Sequence, residues 1–318
     1  MKNEDVLPPS ISLVVIAYQE EVRIGPCIAA IRAQDSPLDF EIIVVNDGST
    51  DRTAEIVALQ AREDPRVRLN DLGANRGRGL ARQAGIDAAT GNLLGFIDAD
   101  IVIPPDWLTR LAAAIEHDDL VGGCAIPDGD IAAAARMSKA TLKVRSGSIG
   151  VTGNNVLFRR DILQTVPFPQ TRVGEDFRFV KRAIKAGYTQ RVLSDLVVDH
   201  LEVKSYRKSC TWMWELGVDS TRVLREFGDW RMPDKAWAAW LLGIIAALVS
   251  TILGITDLIP AVLFALCLTG VIAVALASQR FALAPLGRFM VGAGLLIPLV
   301  GIYLAGRTWG LVRVLTAS

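Results

Sequence analysis

Short apolar runs rich in β-branched residues alternate along this chain with longer stretches whose apolar positions recur every three or four residues. Ile11 to Ala17 is the first such run and reads as a buried parallel strand. From about Glu20 to Ala33 the positions Val22, Ile24, Ile28 and Ile31 fall mostly on one side, which predicts a helix. Glu41 to Val45 predicts a second strand. Asp51 to Arg62 predicts a second helix, with Ile56, Val57 and Leu59 apolar and Ser49 or Asp51 as its cap. Val67 to Leu69 reads as a brief strand, Arg78 to Ala89 as a third helix, and Leu93 to Ile97 as a fourth strand. Pro104 and Pro105 open a helix that runs through Ile115, proline being tolerated in the first turn. Beyond it, Leu120 to Ile126, Val151 to Phe158 and Arg191 to Val198 read as strands. Gly174 to Gly187 reads as a helix with Phe177, Val180 and Ile184 on one face and Gly187 as its stop.

Strand alternating with helix predicts an α/β, Rossmann-like fold, a mostly parallel sheet flanked by helices. In open sheets of this kind ligands sit outside the carboxyl ends of the strands. That rule brings Ala17-Tyr18, Asn46-Asp47 and Asp98-Ala99-Asp100 to one edge.

The texture changes after this domain. Between Tyr206 and Trp240, Trp212, Trp214, Trp230, Trp237 and Trp240 mix with Arg207, Lys208, Arg222, Arg225 and Arg231. Tryptophan beside basic residues predicts interfacial helices at a membrane surface. From Trp237 onward the charged residues are Asp257, Arg280, Arg288, Arg307 and Arg313 alone. A bilayer span needs about 20 apolar residues, so Trp237–Thr256 and Leu258–Ala277 predict two spans with a turn at Asp257 and Pro260. A third segment, Phe289–Ala305, carries Pro298 and Gly301. The expected organisation is a cytosolic domain over 1–205, amphipathic interfacial helices over 206–236 and an α-helical membrane region over 237–318. The front of the chain, Met1-Lys2-Asn3-Glu4-Asp5, lacks an apolar stretch of signal-peptide length. With basic residues before the first span and between the second and third, it predicts an integral protein of the cytoplasmic (inner) membrane whose catalytic domain faces the cytosol.

Overall charge changes little in this picture. The 34 basic and 34 acidic side chains cancel, so no general affinity for nucleic acid is implied. Cys27, Cys124, Cys210 and Cys267 lack metal-type spacing and read as reduced thiols.

The chemistry lies in the motifs at the strand ends. Asp98-Ala99-Asp100 sets two carboxylates two positions apart where a buried strand opens into a loop, an arrangement that suits a hard divalent cation bridging to substrate phosphates. Asn46-Asp47-Gly48-Ser49-Thr50-Asp51 follows another strand, and Gly174-Glu175-Asp176 opens a helix. A carboxylate at a helix N-terminus is favoured in its ionised form, ready to act as a general base. Arg76, Arg78 and Arg82 are guanidinium groups of the kind that pair with phosphate oxygens. Together these motifs point to an enzyme that holds a nucleotide diphosphate through a metal and uses a carboxylate base.

In order along the chain, Val14-Val15-Ile16-Ala17-Tyr18-Gln19-Glu20, Val45-Asn46-Asp47-Gly48-Ser49-Thr50-Asp51, Asn75-Arg76-Gly77-Arg78-Gly79 with Ala81-Arg82-Gln83-Ala84-Gly85, Asp98-Ala99-Asp100, Gly153-Asn154-Asn155 and Gly174-Glu175-Asp176 resemble the motifs of family-2 glycosyltransferases of GT-A fold. The resemblance covers about Ile11 to His200. It departs at Asn46, where the family usually has aspartate, and at Gln19, where it usually has asparagine. It implies donor contacts from Ala17, Tyr18, Glu20, Asp47, Arg76, Arg82, Asp98 and Ala99, and a Mg2+ or Mn2+ ion held by Asp98, Asp100 and His200. It implies acceptor contacts from Asn154, Asn155 and Glu175, with Asp176 as the base. The activity it implies is inverting transfer of a sugar from a UDP-, GDP- or dTDP-linked donor to a hydroxyl of a lipid-linked or membrane-associated acceptor. Three rivals share parts of the pattern. A polyprenyl-phosphate glycosyl synthase would need no base. A processive polysaccharide synthase would carry a Gln-x-x-Arg-Trp motif, which is absent. A non-catalytic membrane scaffold would have no reason to keep Asp98, Asp100 and Asp176.

Overall fold

In a computed structural model of the chain, the described residues are 10–127, 151, 153–201, 206–228 and 286–316, with isolated helical positions at 238, 241, 242, 245, 249 and 252. The chain divides into two compact units, Met1–Ala132 with Lys139–Val203, and Ala133–Ser138 with Lys204–Ser318.

The first unit begins in strict alternation: β1 (Ile11–Ala17), α1 (Ile24–Arg32), β2 (Phe40–Asn46), α2 (Thr53–Glu63), β3 (Val67–Asp71), α3 (Arg78–Ala88), β4 (Leu93–Asp98). It continues with β5 (Ile101–Val102), α4 (Trp107–Ala114), β6 (Leu120–Pro127), β7 (Asn155–Arg159), α5 (Ile162–Thr165), α6 (Glu175–Lys185) and β8 (Gln190–His200). Among the described residues the eight strands form one sheet in the order β3-β2-β1-β4-β7-β6-β8-β5. The first four run parallel to one another. The other half is mixed: β7 runs antiparallel to both β4 and β6, β6 pairs with β8 in parallel, and β5 closes the edge antiparallel to β8. A strand buried on both faces is a continuous apolar run whichever way it points. The mostly parallel sheet expected from sequence therefore holds for one half only.

Alternation along β1 divides the core. Ile11, Leu13, Val15 and Ala17 pack with Ile24, Ile28 and Ile31 of α1 and Trp107, Leu108 and Leu111 of α4. Val14 faces the other way, into a cluster with Ala81 and Ile86 of α3, Phe96, Phe158 and Phe179. In that second layer Phe96, Phe158, Phe168 and Phe179 form a closed set of aromatic contacts with centroids 5.0–5.3 Å apart.

Two helix faces differ from expectation. Val22 precedes α1 and is exposed, and Cys27 takes the inward place beside Ile24, Ile28 and Ile31. On α6, Phe177 and Ile184 point outward. The buried face consists of Glu175, Arg178, Phe179, Val180 and Ala183. Two charged residues belong to that inner face, so the apolar positions alone misplace it.

In the second unit α7 (Tyr206–Phe227) packs against α8 (Leu286–Thr316). A Cβ built on Gly306 would lie 2.5 Å from the Trp214 carbonyl oxygen, and one on Gly310 would lie 2.6 Å from that of Val218. Glycine at these two positions lets the helix backbones meet, and the matched register shows that they run in the same direction. Arg307 is fully buried at this contact, its carbonyl accepting from Thr221 Oγ1 at 2.8 Å and its guanidinium donating to the Tyr303 hydroxyl at 3.1 Å. It is a packing residue and not a free charge that sets membrane topology. Among the described residues no helix is long and apolar enough to cross a membrane. The predicted spans 237–256 and 258–277 lie outside the described residues apart from the isolated positions, and the third falls within α8, whose side chains are described from Gly301 onward.

Candidate active site

Pairing of Ala17 with Asn46 and of Ile16 with Asp98 sets the carboxyl ends of β2, β1 and β4 side by side. The loops that leave these ends are tied to one another. Gln19 takes a left-handed backbone conformation (φ 59°), the only non-glycine among the described residues to do so. Its amide nitrogen Nε2 donates to Thr50 Oγ1 at 2.8 Å, and its Oε1 accepts from the Asp51 backbone at 3.2 Å. Glu20 receives Arg23 Nε at 2.6 Å, and its own backbone N–H donates to Thr53 Oγ1 at 2.8 Å. Tyr18 is exposed at this rim, whereas Ala17 is buried and its carbonyl accepts from the Asp47 backbone at 2.9 Å.

Asn46 and Asp47 are buried and committed to the loops. Asn46 donates to Asp71 Oδ1 at 3.0 Å and accepts from the Ser49 backbone at 3.2 Å. The Asp47 carboxylate accepts from the backbone N–H groups of Arg76 (2.7 Å) and Gly77 (3.0 Å). It therefore holds the loop entering α3, and the Arg76 and Arg78 side chains stand exposed beside it.

Arg82 is the largest departure from the predicted site. Expected to face donor phosphates, it is buried on the inner face of α3 and serves as a hub. One guanidinium nitrogen donates to Glu175 Oε1, and the other to Asp98 Oδ1 at 2.7 Å and to the Gly153 carbonyl at 3.0 Å. The group also lies over the Phe96 ring, 5.5 Å from its centroid. Glu175, expected at the acceptor, is buried and turned to Arg82. Asn155, also expected there, is fully buried in β7 and accepts from the Trp107 indole at 2.5 Å. Asn154 is half-buried, and its carbonyl accepts from the Asp98 backbone at 3.4 Å. Ala99 is buried and its N–H donates to the Ile16 carbonyl at 3.3 Å.

Asp176 is half-buried in the first turn of α6. Its Oδ2 accepts from the Gly153 N–H at 3.1 Å and its Oδ1 from the Phe177 N–H at 2.8 Å. A Cβ on Gly153 would lie 2.2 Å from that of Asp176, so only glycine admits this approach. Arg178, which sequence reasoning missed, donates to the carbonyls of Val173 and Gly174 and fixes the turn that presents Asp176. Its signal was a buried charge at the i+3 position from Glu175, which an apolar count does not detect.

Asp100 pairs with His200, whose Nε2 donates to Oδ2 at 3.0 Å across the β5–β8 pairing. Burial alone would raise the Asp100 carboxyl. The His200 hydrogen bond and charge, with Arg23, outweigh it and hold the carboxyl below the usual range. Asp98 and Glu175 go the other way: burial pushes both above the usual range, and the opposing charge of Arg82 does not reverse it. Crowding of negative charge adds to the burial. One buried guanidinium faces Asp98, Glu175 and, through space, Asp176. The two carboxylates are the ligand type that suits Mg2+ or Mn2+, and a cation beside Asp98 would supply positive charge there. The Asp98 side chain keeps 24% of its surface open to receive one. Among the described residues, however, no three such side chains are gathered closely enough to hold an ion: Asp100 and His200 meet, and Asp98 is turned to Arg82.

The Glycosyl transferase family 2 profile matches residues 12–178, more than half of the chain. Glycosyltransferase AglE of Haloferax volcanii is 29% identical over 204 residues, covering 60% of this chain and 67% of that protein. Dolichyl-phosphate beta-glucosyltransferase ALG5C of Trichomonas vaginalis is 29% identical over 251 residues, 71% of this chain and 74% of its own length. Several other curated relatives are matched over only a third to somewhat over half of their length. Among solved structures, mannosyltransferase PcManGT from Pyrobaculum calidifontis, in complex with GDP-Man and Mn2+, superposes with a TM-score of 0.66. The match covers 96% of this chain and 88% of that one at 21% identity, a likeness of fold, here GT-A-like. With strand-end loops, buried charge hub and matched profile all in the same region, the chain belongs to glycosyl transferase family 2.

Proposed function

We propose that this protein is a metal-dependent, inverting glycosyltransferase. It would move a sugar from a nucleotide-diphosphate donor to a hydroxyl of a lipid-linked or membrane-associated acceptor. The observation that carries this reading is the hydrogen-bonded chain Asp98–Arg82–Gly153–Asp176, which joins a metal-type carboxylate to a base-type carboxylate at the strand ends. Asp98 would have to turn from Arg82 toward the Asp100–His200 pair for the three to hold Mg2+ or Mn2+, which when bound would act as a Lewis acid for charge on the departing nucleotide diphosphate. Asp176 takes the proton of the acceptor hydroxyl as that oxygen attacks the anomeric carbon. The Gly153 and Phe177 amides orient its carboxylate for this transfer. Arg82 keeps Asp98 and α6 in fixed relation while that proton moves. Exposed Tyr18 and Arg76 are the side chains proposed to meet the donor directly.

The bilayer belongs to the same reading, with the catalytic unit on the cytosolic side of the inner membrane. Supporting it, Leu242, Ile245, Val249 and Ile252 are helical and 65%, 48%, 47% and 81% exposed, at spacings that place them on one face. The surrounding run Trp237–Thr256 carries no charge. Lipid is the partner such a face fits.

The test is nucleotide diphosphate release by the full chain across a panel of sugar nucleotides, with Mn2+ or Mg2+, with and without lipid extract. Release that requires both metal and lipid and disappears in Asp176→Asn supports the reading. Near-normal activity of Asp176→Asn would instead favour a polyprenyl phosphate as acceptor, whose oxygen is already ionised and needs no base. The long match to ALG5C, which extends past the family profile, is the observation behind that second reading.

A further inference from the structure

The second unit carries a basic pocket that the chemistry above does not use. Because α7 and α8 run in the same direction, their last turns lie together. Arg222 and Arg225 from α7 meet Arg313 from α8, and with Glu226 and Val314 they line a cavity of about 490 Å³. All three arginines are exposed. Arginine near a helix C-terminus complements the helix dipole, but that role needs one cation per helix and no apolar neighbours. Here Trp309 lies one turn before Arg313 on α8, and Val312 and Leu315 lead from it round the outer face of that helix; the three are 48%, 42% and 65% exposed. A soluble anion would use the arginines and leave this apolar rim in water. A phospholipid would use both.

We infer that the Arg222–Arg225–Arg313 pocket binds the phosphate headgroup of an anionic phospholipid, with Trp309, Val312 and Leu315 seated against its acyl chains. The inference rests on the bilayer reading above and adds lipid selectivity to it. Three cations against Glu226 favour an anionic headgroup over a zwitterionic one. Tryptophan and leucine beside them match the boundary between headgroups and chains.

The experiment titrates the detergent-purified full chain with water-soluble short-chain phosphatidylglycerol, with short-chain phosphatidylcholine and with inorganic phosphate, followed by tryptophan fluorescence. Phosphatidylglycerol is expected to bind and phosphatidylcholine to bind far more weakly. Arg222→Gln/Arg225→Gln/Arg313→Gln should weaken phosphatidylglycerol binding on the order of 100-fold, about fivefold for each arginine near an anionic surface. Trp309→Phe should remove most of the signal. An unchanged thermal melt of the triple variant shows that the loss is not unfolding, since all three side chains are exposed. Equal binding of the two lipids, or undiminished binding by the triple variant, overturns the inference and leaves the bilayer reading standing. Saturation by inorganic phosphate alone also overturns it, in favour of a soluble anion. If neither lipid binds and the chain also fractionates away from membranes, both readings fail together.

Discussion

Arg82 neutralises more than one carboxylate from a position closed to water, so the two ways of altering it separate charge from geometry. Arg82→Met leaves Glu175 buried and Asp98 half-buried without their cation and should cost about 3 kcal/mol of stability, read by chemical denaturation. Adding Glu175→Gln to it should recover part of that loss, because one of the stranded charges is gone. Arg82→Lys keeps the charge but cannot reach Glu175, Asp98 and the Gly153 carbonyl at once. It should fold and yet lose both activity and Mn2+ affinity, the latter followed by electron paramagnetic resonance. Gly153→Ala is the complementary probe. Its new Cβ would sit 2.2 Å from Asp176 Cβ, so the carboxylate must shift. A displacement on that scale costs on the order of 100-fold in rate, and kcat should fall with donor KM little changed. The roles of these residues were only partly legible in the sequence. Motif order placed Arg82, Glu175, Asn155 and Asp176 in one region. Which of them turns inward depends on neighbours far along the chain, such as Trp107 for Asn155 and Arg82 for Glu175. Gln19 shows the reverse: its departure from the usual asparagine was visible at once, but its left-handed backbone and its bonds to Thr50 and Asp51 required the fold.

Elements were most legible where both faces of a strand are apolar and least where a helix hides charge. β1, β2 and β4 lie within a residue of their expected bounds. β5, two residues long, and α5, four long, fall below the length at which any period exists. The cap expected at Ser49 or Asp51 falls instead on Arg52, which makes no side-chain cap bond; Asp51, one residue earlier, accepts from the Thr53 backbone at 3.0 Å. The other end of α2 depends on Asp64, which was not singled out. Its buried carboxylate accepts from Arg66 Nη2 at 2.8 Å and from Arg32 Nε at 3.0 Å, joining α1, α2 and the start of β3. The Arg66 hydrogen bond is the main cause that lowers its pKa to about 2. A carboxyl near 3.9 in the unfolded chain and lower in the folded one favours folding when ionised. The contribution is fully present above about pH 4 and is lost as pH falls through about 2. Both arginines are partly exposed, so about 1–2 kcal/mol is expected. Asp64→Asn should therefore be less stable than the parent by that amount at neutral pH, and the two denaturation curves should converge in strong acid. A gap that persists there would mean the loss comes from packing and not from charge.

At the scale of the whole molecule, the alternation of strand and helix was enough to bring three loops to one sheet edge, because parallel strands joined by helices leave their carboxyl ends together. The pattern could not tell that β7 returns antiparallel beside β4, and it is this return that carries Gly153 and Asn154 to the same edge. The loops proposed to hold the donor were thus placed by the pattern of the chain, whereas the placing of Gly153 and Asn154 depended on topology. The second unit reverses the balance. There, composition speaks more clearly than the described backbone: the five charged residues after Trp237 include Arg307, which α7 and α8 bury between them, so still fewer face outward. Apolar side chains at Leu242, Ile245, Val249 and Ile252 are exposed in the chain taken alone. In water each such side chain forfeits about 1.5–3 kcal/mol of burial, and four on one face would drive association with lipid or with other copies. Lipid is the expectation, and fractionation separates the two outcomes. The full chain expressed in a bacterial host should sediment with membranes, stay there through alkaline carbonate, and enter solution only with detergent. Recovery in the carbonate supernatant would mean surface attachment through α7 and α8, and recovery in the soluble fraction as large assemblies would mean that copies of the chain cover this face. In either case Asp176 and Asp98 keep their proposed chemistry, because the network that links them lies wholly within the first unit.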